Sequence, residues 1–159
     1  MTARRVPQPQ PDARREAGVG RVLALDVGSR RLGVAVSDPS RTLASPLATI
    51  ERGSAEADAA ALRRLAAEQG ATLVVTGLPV ALSGREELAA RDVRADVRRL
   101  ARLLPELEFE LVDERLSTVV AERALAAQGV RGPARRRVID QLAACVFLQT
   151  WLDQRSAPG

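Results

Sequence analysis

Apolar positions along the chain fall into two rhythms. Short, β-branched-rich runs at Val22–Val27 and Leu32–Val36 flank a glycine-containing turn, Gly28-Ser29-Arg30-Arg31. That pattern predicts a β-hairpin. Asp38-Pro39-Ser40-Arg41 predicts a second turn, and Thr42–Ile50 a third strand bent near Pro46. Three consecutive strands joined by tight turns predict an antiparallel meander. The period then lengthens. Ala59, Leu62, Leu65 and Ala66 fit one face of a helix from Ala55 to Glu68, capped by Ser54 and closed by Gly70. Thr72–Thr76 predicts a buried strand ended by Gly77-Leu78-Pro79, with a loop at Ser83-Gly84. Arg85 to Leu104 predicts a long helix with Leu88, Val93, Val97, Leu100 and Leu104 inward, stopped by Pro105. Glu108–Asp113 predicts the last strand. A helix from Ser117 or Thr118 to Gln128 is closed by Gly129. A final helix runs from Gly132-Pro133 to about Gln154, its broad apolar face including Val138, Leu142, Val146, Leu148 and Leu152.

The order β-β-β-α-β-α-β-α-α predicts an α/β fold. The three-stranded meander plus two further strands make a mixed five-stranded sheet, with helices on both faces. The 159 residues suffice for one domain with its own core. Its expected bounds are residues 21–154, between a Pro-, Gln- and Arg-rich tail over 1–20, expected to be disordered, and a short tail over 155–159. No apolar run approaches the ~18 residues of a membrane span, and the N-terminus lacks the apolar stretch of a signal peptide. A cytoplasmic protein is expected, with no membrane partner. The single cysteine, Cys145, stands in an apolar helical stretch, which predicts a buried, inert thiol.

Charge and missing residue types narrow the chemistry. Lys+Arg number 24, all of them Arg, against 20 Asp+Glu, for a net charge of +4. Guanidinium groups suit phosphate, so a polyanion partner is plausible. Histidine is absent, which excludes a Ser-His-Asp triad and imidazole metal sites. The Walker pattern is absent too. At 2% aromatics a base-stacking platform is not expected, so recognition would rest on backbone and shape.

Three carboxylate positions stand out: Asp26 in the first apolar strand, Asp113-Glu114 after the last, and Asp140 inside the final helix. An acid in an apolar element is costly without compensation. Brought together, the three would form an oxygen-rich site suited to Mg²⁺ or Mn²⁺ and to phosphoryl-transfer chemistry. Each also has a plain alternative. Asp26 could shape a turn, Asp113 or Glu114 could pair with Arg115, and Asp140 could pair with Arg136 one helical turn earlier. Arg135-Arg136-Arg137 could grip a phosphate backbone or simply be a solvated helix start.

Four segments together resemble a known family. They are Leu25-Asp26-Val27-Gly28 with Arg31-Leu32-Gly33-Val34-Ala35 and Ser37-Asp38-Pro39; Gly77-Leu78-Pro79 with Gly84; Asp113-Glu114-Arg115-Leu116-Ser117-Thr118; and Ile139-Asp140 with Ala143-Ala144, Leu148-Gln149 and Trp151-Leu152. In order and spacing they resemble the YqgF/RuvX family of pre-16S rRNA nucleases, also called Holliday junction resolvases. Ser117 stands where that family usually has Thr, and Ser83 where Asp or Asn is common. The resemblance implies an RNase H-like fold and metal-dependent phosphodiester cleavage. It carries Asp26, Glu114 and Asp140 over as catalytic residues and ligands of Mg²⁺ or Mn²⁺, with Asp113 as the alternative to Glu114. Arg31, Arg115, Arg135, Arg136 and Arg137 would bind the nucleic acid. The implied substrate is the 5′ end of pre-16S rRNA, alone or in ribosomal precursor particles. Alternatives are a DNA resolvase of four-way junctions and a non-catalytic RNA- or ribosome-binding module. Monomer and homodimer both stay open; paired cuts at a junction would need the dimer.

Overall fold

The computed structural model describes residues 3–5, 20–79, 84–114, 129 and 132–156. Its strands are β1 (Ala3–Arg5), β2 (Arg21–Val27), β3 (Arg31–Ser37), β4 (Ala44–Glu51), β5 (Ala71–Pro79) and β6 (Glu108–Glu114). Its helices, among the described residues, are α1 (Ala55–Gln69), α2 (Gly84–Leu103) and α3 (Pro133–Ser156). The helix expected between Ser117 and Gln128 lies outside the described residues.

One sheet runs through the molecule in the order β1-β6-β5-β2-β3-β4. β2, β3 and β4 form the expected antiparallel meander. β5 joins β2 in parallel and β6 joins β5 in parallel. The bend expected near Pro46 is a register shift: Val34 pairs with Ala48, and Ala35 with Pro46. A proline lacks the N–H that a regular ladder needs, and such an irregularity accommodates it.

Three expectations need correction. β5 does not end at Thr76; it continues through Gly77, Leu78 and Pro79 because Val112, Asp113 and Glu114 of β6 pair with them. The turn-like composition of that segment yields to a partner strand. The segment expected to be an irregular tail contributes β1, a sixth strand lying antiparallel along β6, with Ala3 beside Val112 and Arg5 beside Glu110. An outer strand exposes unpaired backbone groups, and even a short added strand satisfies some of them. At the other end, α3 runs on to Ser156, past the expected boundary, and Arg155 bonds Glu110 of β6 at 3.0 and 3.2 Å.

The sheet divides the core in two. Leu23, Leu25, Leu32, Val34, Val74 and Phe109 pack with Leu62 of α1 and Val93, Val97 and Leu100 of α2. Val22, Ala24, Ala35, Leu73, Val75 and Val112 pack with Ala144, Phe147, Leu148, Trp151 and Leu152 of α3. Strand alternation makes this division. It also fixes which face each functional residue occupies.

Candidate active site

Asp26 has the parity of Val22 and Ala24, so it lies on the face that α3 covers. Opposite it in the hairpin stands Gly33. A Cβ at Gly33 would lie 2.1 Å from the Asp140 carbonyl oxygen and 2.8 Å from the Asp140 Cβ. The backbone of α3 therefore rests directly on β3 there, and only a residue without a side chain permits it. The helix fills the space that a side chain at Gly33 would take. Thr49, the β4 neighbour of Gly33, pins the helix. Its hydroxyl donates to the Arg137 carbonyl at 2.9 Å and accepts from Gln141 Nε2 at 2.9 Å.

The close approach brings Asp140 to Asp26. The Asp26 carboxyl is pushed up from the ordinary 3.8 to about 7, first by burial and then by the negative charge of Asp140. Arg31 Nε donates to Asp140 Oδ2 at 2.9 Å, both side chains being 22% exposed. Asp140 thus takes its cation from β3, the strand on which its helix rests, rather than from Arg136 on its own helix. That pair could not be found by spacing, since 109 residues separate its members.

Glu114 ends β6 beside Pro79. Because β2, β5 and β6 are parallel, it stands at the same end of the sheet as Asp26. Position 114 has the parity of Glu110, which bonds Arg155 of α3, and of Val112, which packs on α3. Position 113 has the parity of Phe109, which packs on the opposite face. The side chains of Asp113 and Glu114 both lie outside the described ones. Among the described residues no group of three His, Cys, Asp or Glu could hold a metal ion; the described carboxylates of this site are Asp26 and Asp140.

Beside the pair runs an open groove of about 760 Å³, lined by Arg31, Glu51, Gly132, Arg135, Arg136 and Arg137 among others. Arg137 lies 3.4 Å from Glu51, both mostly exposed. Four of the five arginines expected to meet nucleic acid thus line one groove; the fifth, Arg115, lies outside the described residues. Cys145 is partly buried in α3, and burial pushes its thiol up, in keeping with an inert role.

Known proteins share this chain's sequence and fold. The family described as RuvX, Holliday junction resolvase, matches residues 20–154. The chain belongs to the RuvX family. A relative from Mycolicibacterium paratuberculosis, named "Putative pre-16S rRNA nuclease", is 45% identical over 157 residues, covering 99% of this chain and 94% of its own length. One of the same name from Nocardia farcinica is 45% identical over 154 residues, covering 93% and 86%. Among solved structures, T. thermophilus RuvC in complex with a Holliday junction substrate matches with a TM-score of 0.51 at 14% identity, over 86% of this chain and 95% of that one. That likeness concerns the fold, which in this RuvX chain is RNase H-like with helices on both faces of a mixed sheet.

Proposed function

We propose that this RuvX protein is a metal-dependent endonuclease that hydrolyses phosphodiester bonds, and that its task is maturation of the 5′ end of pre-16S rRNA in the cytoplasm. Its enzyme class, a hydrolase acting on nucleic acid, follows from the family and from relatives named as nucleases. The observation that carries the site assignment is the meeting of Asp26 and Asp140 across Gly33.

The donor set fits Mg²⁺ or Mn²⁺: hard carboxylate oxygens, with no imidazole in the chain and no thiolate nearby. The cost of ionising Asp26 beside Asp140 is one that a divalent cation offsets. Asp26 and Asp140 would hold the ion, with Glu114 as the third ligand from β6. Bound there, it would supply an activated water and neutralise charge developing on the phosphate. The remaining work falls to the chain. Arg31 fixes Asp140 through Oδ2, leaving Oδ1 for the site. Arg135, Arg136 and Arg137 bind the phosphates flanking the scissile bond, and Arg115 extends that contact. With few aromatics in the chain, backbone shape rather than base identity selects the substrate.

Side-by-side cleavage of a precursor spanning the 5′ end of 16S rRNA and of a four-way DNA junction tests this reading. Wild-type protein with Mg²⁺ or Mn²⁺ is expected to cut the RNA. Asp26→Asn and Asp140→Asn are each expected to lower the rate by about 10³-fold or more while the protein stays folded. Cleavage of the junction alone would favour the resolvase named in the family description. Binding without turnover of either substrate would mark a non-catalytic module.

A further inference from the structure

The turn between β2 and β3 is short, and a site residue stands at each end of it. Asp26 precedes it by one residue, and Arg31, the partner of Asp140, begins the returning strand. Gly28, Ser29 and Arg30 are exposed. On the side away from α3 the turn borders an open cavity of about 600 Å³, whose walls include Gly28, Ser29, Arg52, Asp92 and Asp96. Packing therefore gives the turn little support there.

One side chain does support it. Arg52 follows β4, and its Nη1 donates to the Gly28 carbonyl at 2.7 Å. Its backbone N–H donates to the Arg30 carbonyl at 2.9 Å. The same guanidinium lies 3.1 Å from Asp96 Oδ2 on α2 and 3.7 Å from Asp58 Oδ2 on α1. Asp58 is only 4% exposed, and its Oδ1 accepts the Gly53 N–H at 2.9 Å. Arg52 is thus anchored to two helices on one side and grips the turn on the other. The turn closes on itself through the Gly28 N–H, which donates to the Arg31 carbonyl at 2.9 Å. A guanidinium with several partners in fixed directions holds geometry better than an isolated surface pair.

We propose that Arg52 is a positioning residue of the active site, acting through the β2–β3 turn to set Asp26 and Arg31. The proposal rests on the reading of Asp26 and Asp140 as the nuclease site. Asp58 and Asp96 are the anchors that aim the guanidinium, and the Gly28 carbonyl is the point at which it acts. A small displacement of a carboxylate in such a site has a large effect on rate and little on substrate binding.

The test uses the full chain and three variants. Arg52→Met is expected to lower kcat on the precursor RNA by about 10- to 100-fold with KM within about twofold. It is also expected to speed hydrogen exchange at the Gly28 amide. Because Arg52→Met strands the buried Asp58 carboxylate, the double variant Arg52→Met/Asp58→Asn serves as the control for folding. It should regain the thermal midpoint but keep both the loss of kcat and the fast exchange. Arg52→Lys, which can reach one carbonyl but not all three partners, should recover part of the rate. A double variant with wild-type kcat, or with unchanged exchange at Gly28, overturns the proposal. If Asp26→Asn proves as active as wild type, the nuclease site is wrong instead, and Gly28 exchange still decides whether Arg52 holds the turn.

Discussion

Two aspartates lie at opposite ends of the β2–β3 hairpin, and their surroundings differ in every respect that matters to a carboxylate. Asp38 follows β3. Its Oδ1 accepts the backbone N–H groups of Thr42 and Leu43 at 2.7 and 3.0 Å, and its Oδ2 the hydroxyls of Ser40 and Thr42 at 2.6 and 2.9 Å. These donors hold it below the usual carboxylate range. Asp26 is half-buried, faces the charge of Asp140, and is pushed up to about 7. Among the described residues no donor is placed on it. Both belong to the segment that resembles the family's first motif. A carboxylate whose acceptor capacity is already used shapes a turn; one left unserved beside another carboxylate has capacity for a cation or a proton.

The sharpest way to break this contrast is at Gly33. A methyl group there meets the Asp140 backbone at 2.1 Å, so α3 must lift from the sheet. Gly33→Ala is expected to cost about 1–3 kcal/mol or more and to abolish cleavage by parting Asp140 from Asp26. Chemical denaturation and a cleavage assay check the two effects.

A smaller effect should appear in the pH dependence of the metal-free protein. In the folded state Asp26 holds its proton up to about pH 7, whereas the unfolded chain releases it near 3.8. Folding therefore binds a proton between those values, and stability contributed by Asp26 is lost as pH rises through about 7. The contribution of Asp38 has the opposite sign: it is present above the ordinary carboxylate value and lost as pH falls below it. Thermal midpoints in chelator are expected to climb as pH falls from neutrality, then drop in acid. Asp26→Asn should flatten the neutral limb, and Asp38→Asn the acid one.

The smallest expected effect concerns the arginine groove. Arg136 has neither a bonded carboxylate partner nor a role in the turn among the described contacts. Arg136→Ala should leave the thermal midpoint unchanged and reduce the slope of log affinity against log salt by roughly 0.7 on single-stranded RNA. An unchanged slope would remove Arg136 from the nucleic-acid path.

Much of the fold was legible because its signals are local. The meander followed from apolar runs and turn residues, and α1 from its period and from Ser54, whose hydroxyl accepts the Ala57 N–H at 3.1 Å. Asp26 and Asp140 were conspicuous as acids in apolar elements. Other features had no local mark. Arg52 looks like any charged residue before a helix, and its role appears only when α1, α2 and the turn converge on it. β1 is three residues in a Pro- and Arg-rich segment, and the edge of β6 gives it a place.

The sequence by itself determined the alternation of elements and the kind of chemistry available, carboxylates and arginines without histidine. Those depend on residue identity over a few neighbouring positions. Tertiary structure alone decided that Asp140 pairs with Arg31 and not Arg136, that β5 runs on through Pro79, and that Gly33 is a seat for α3. These depend on register between strands distant in the chain and on how closely a helix can approach a sheet. Both are settled by the sum of many packing contacts, which no short stretch of sequence carries.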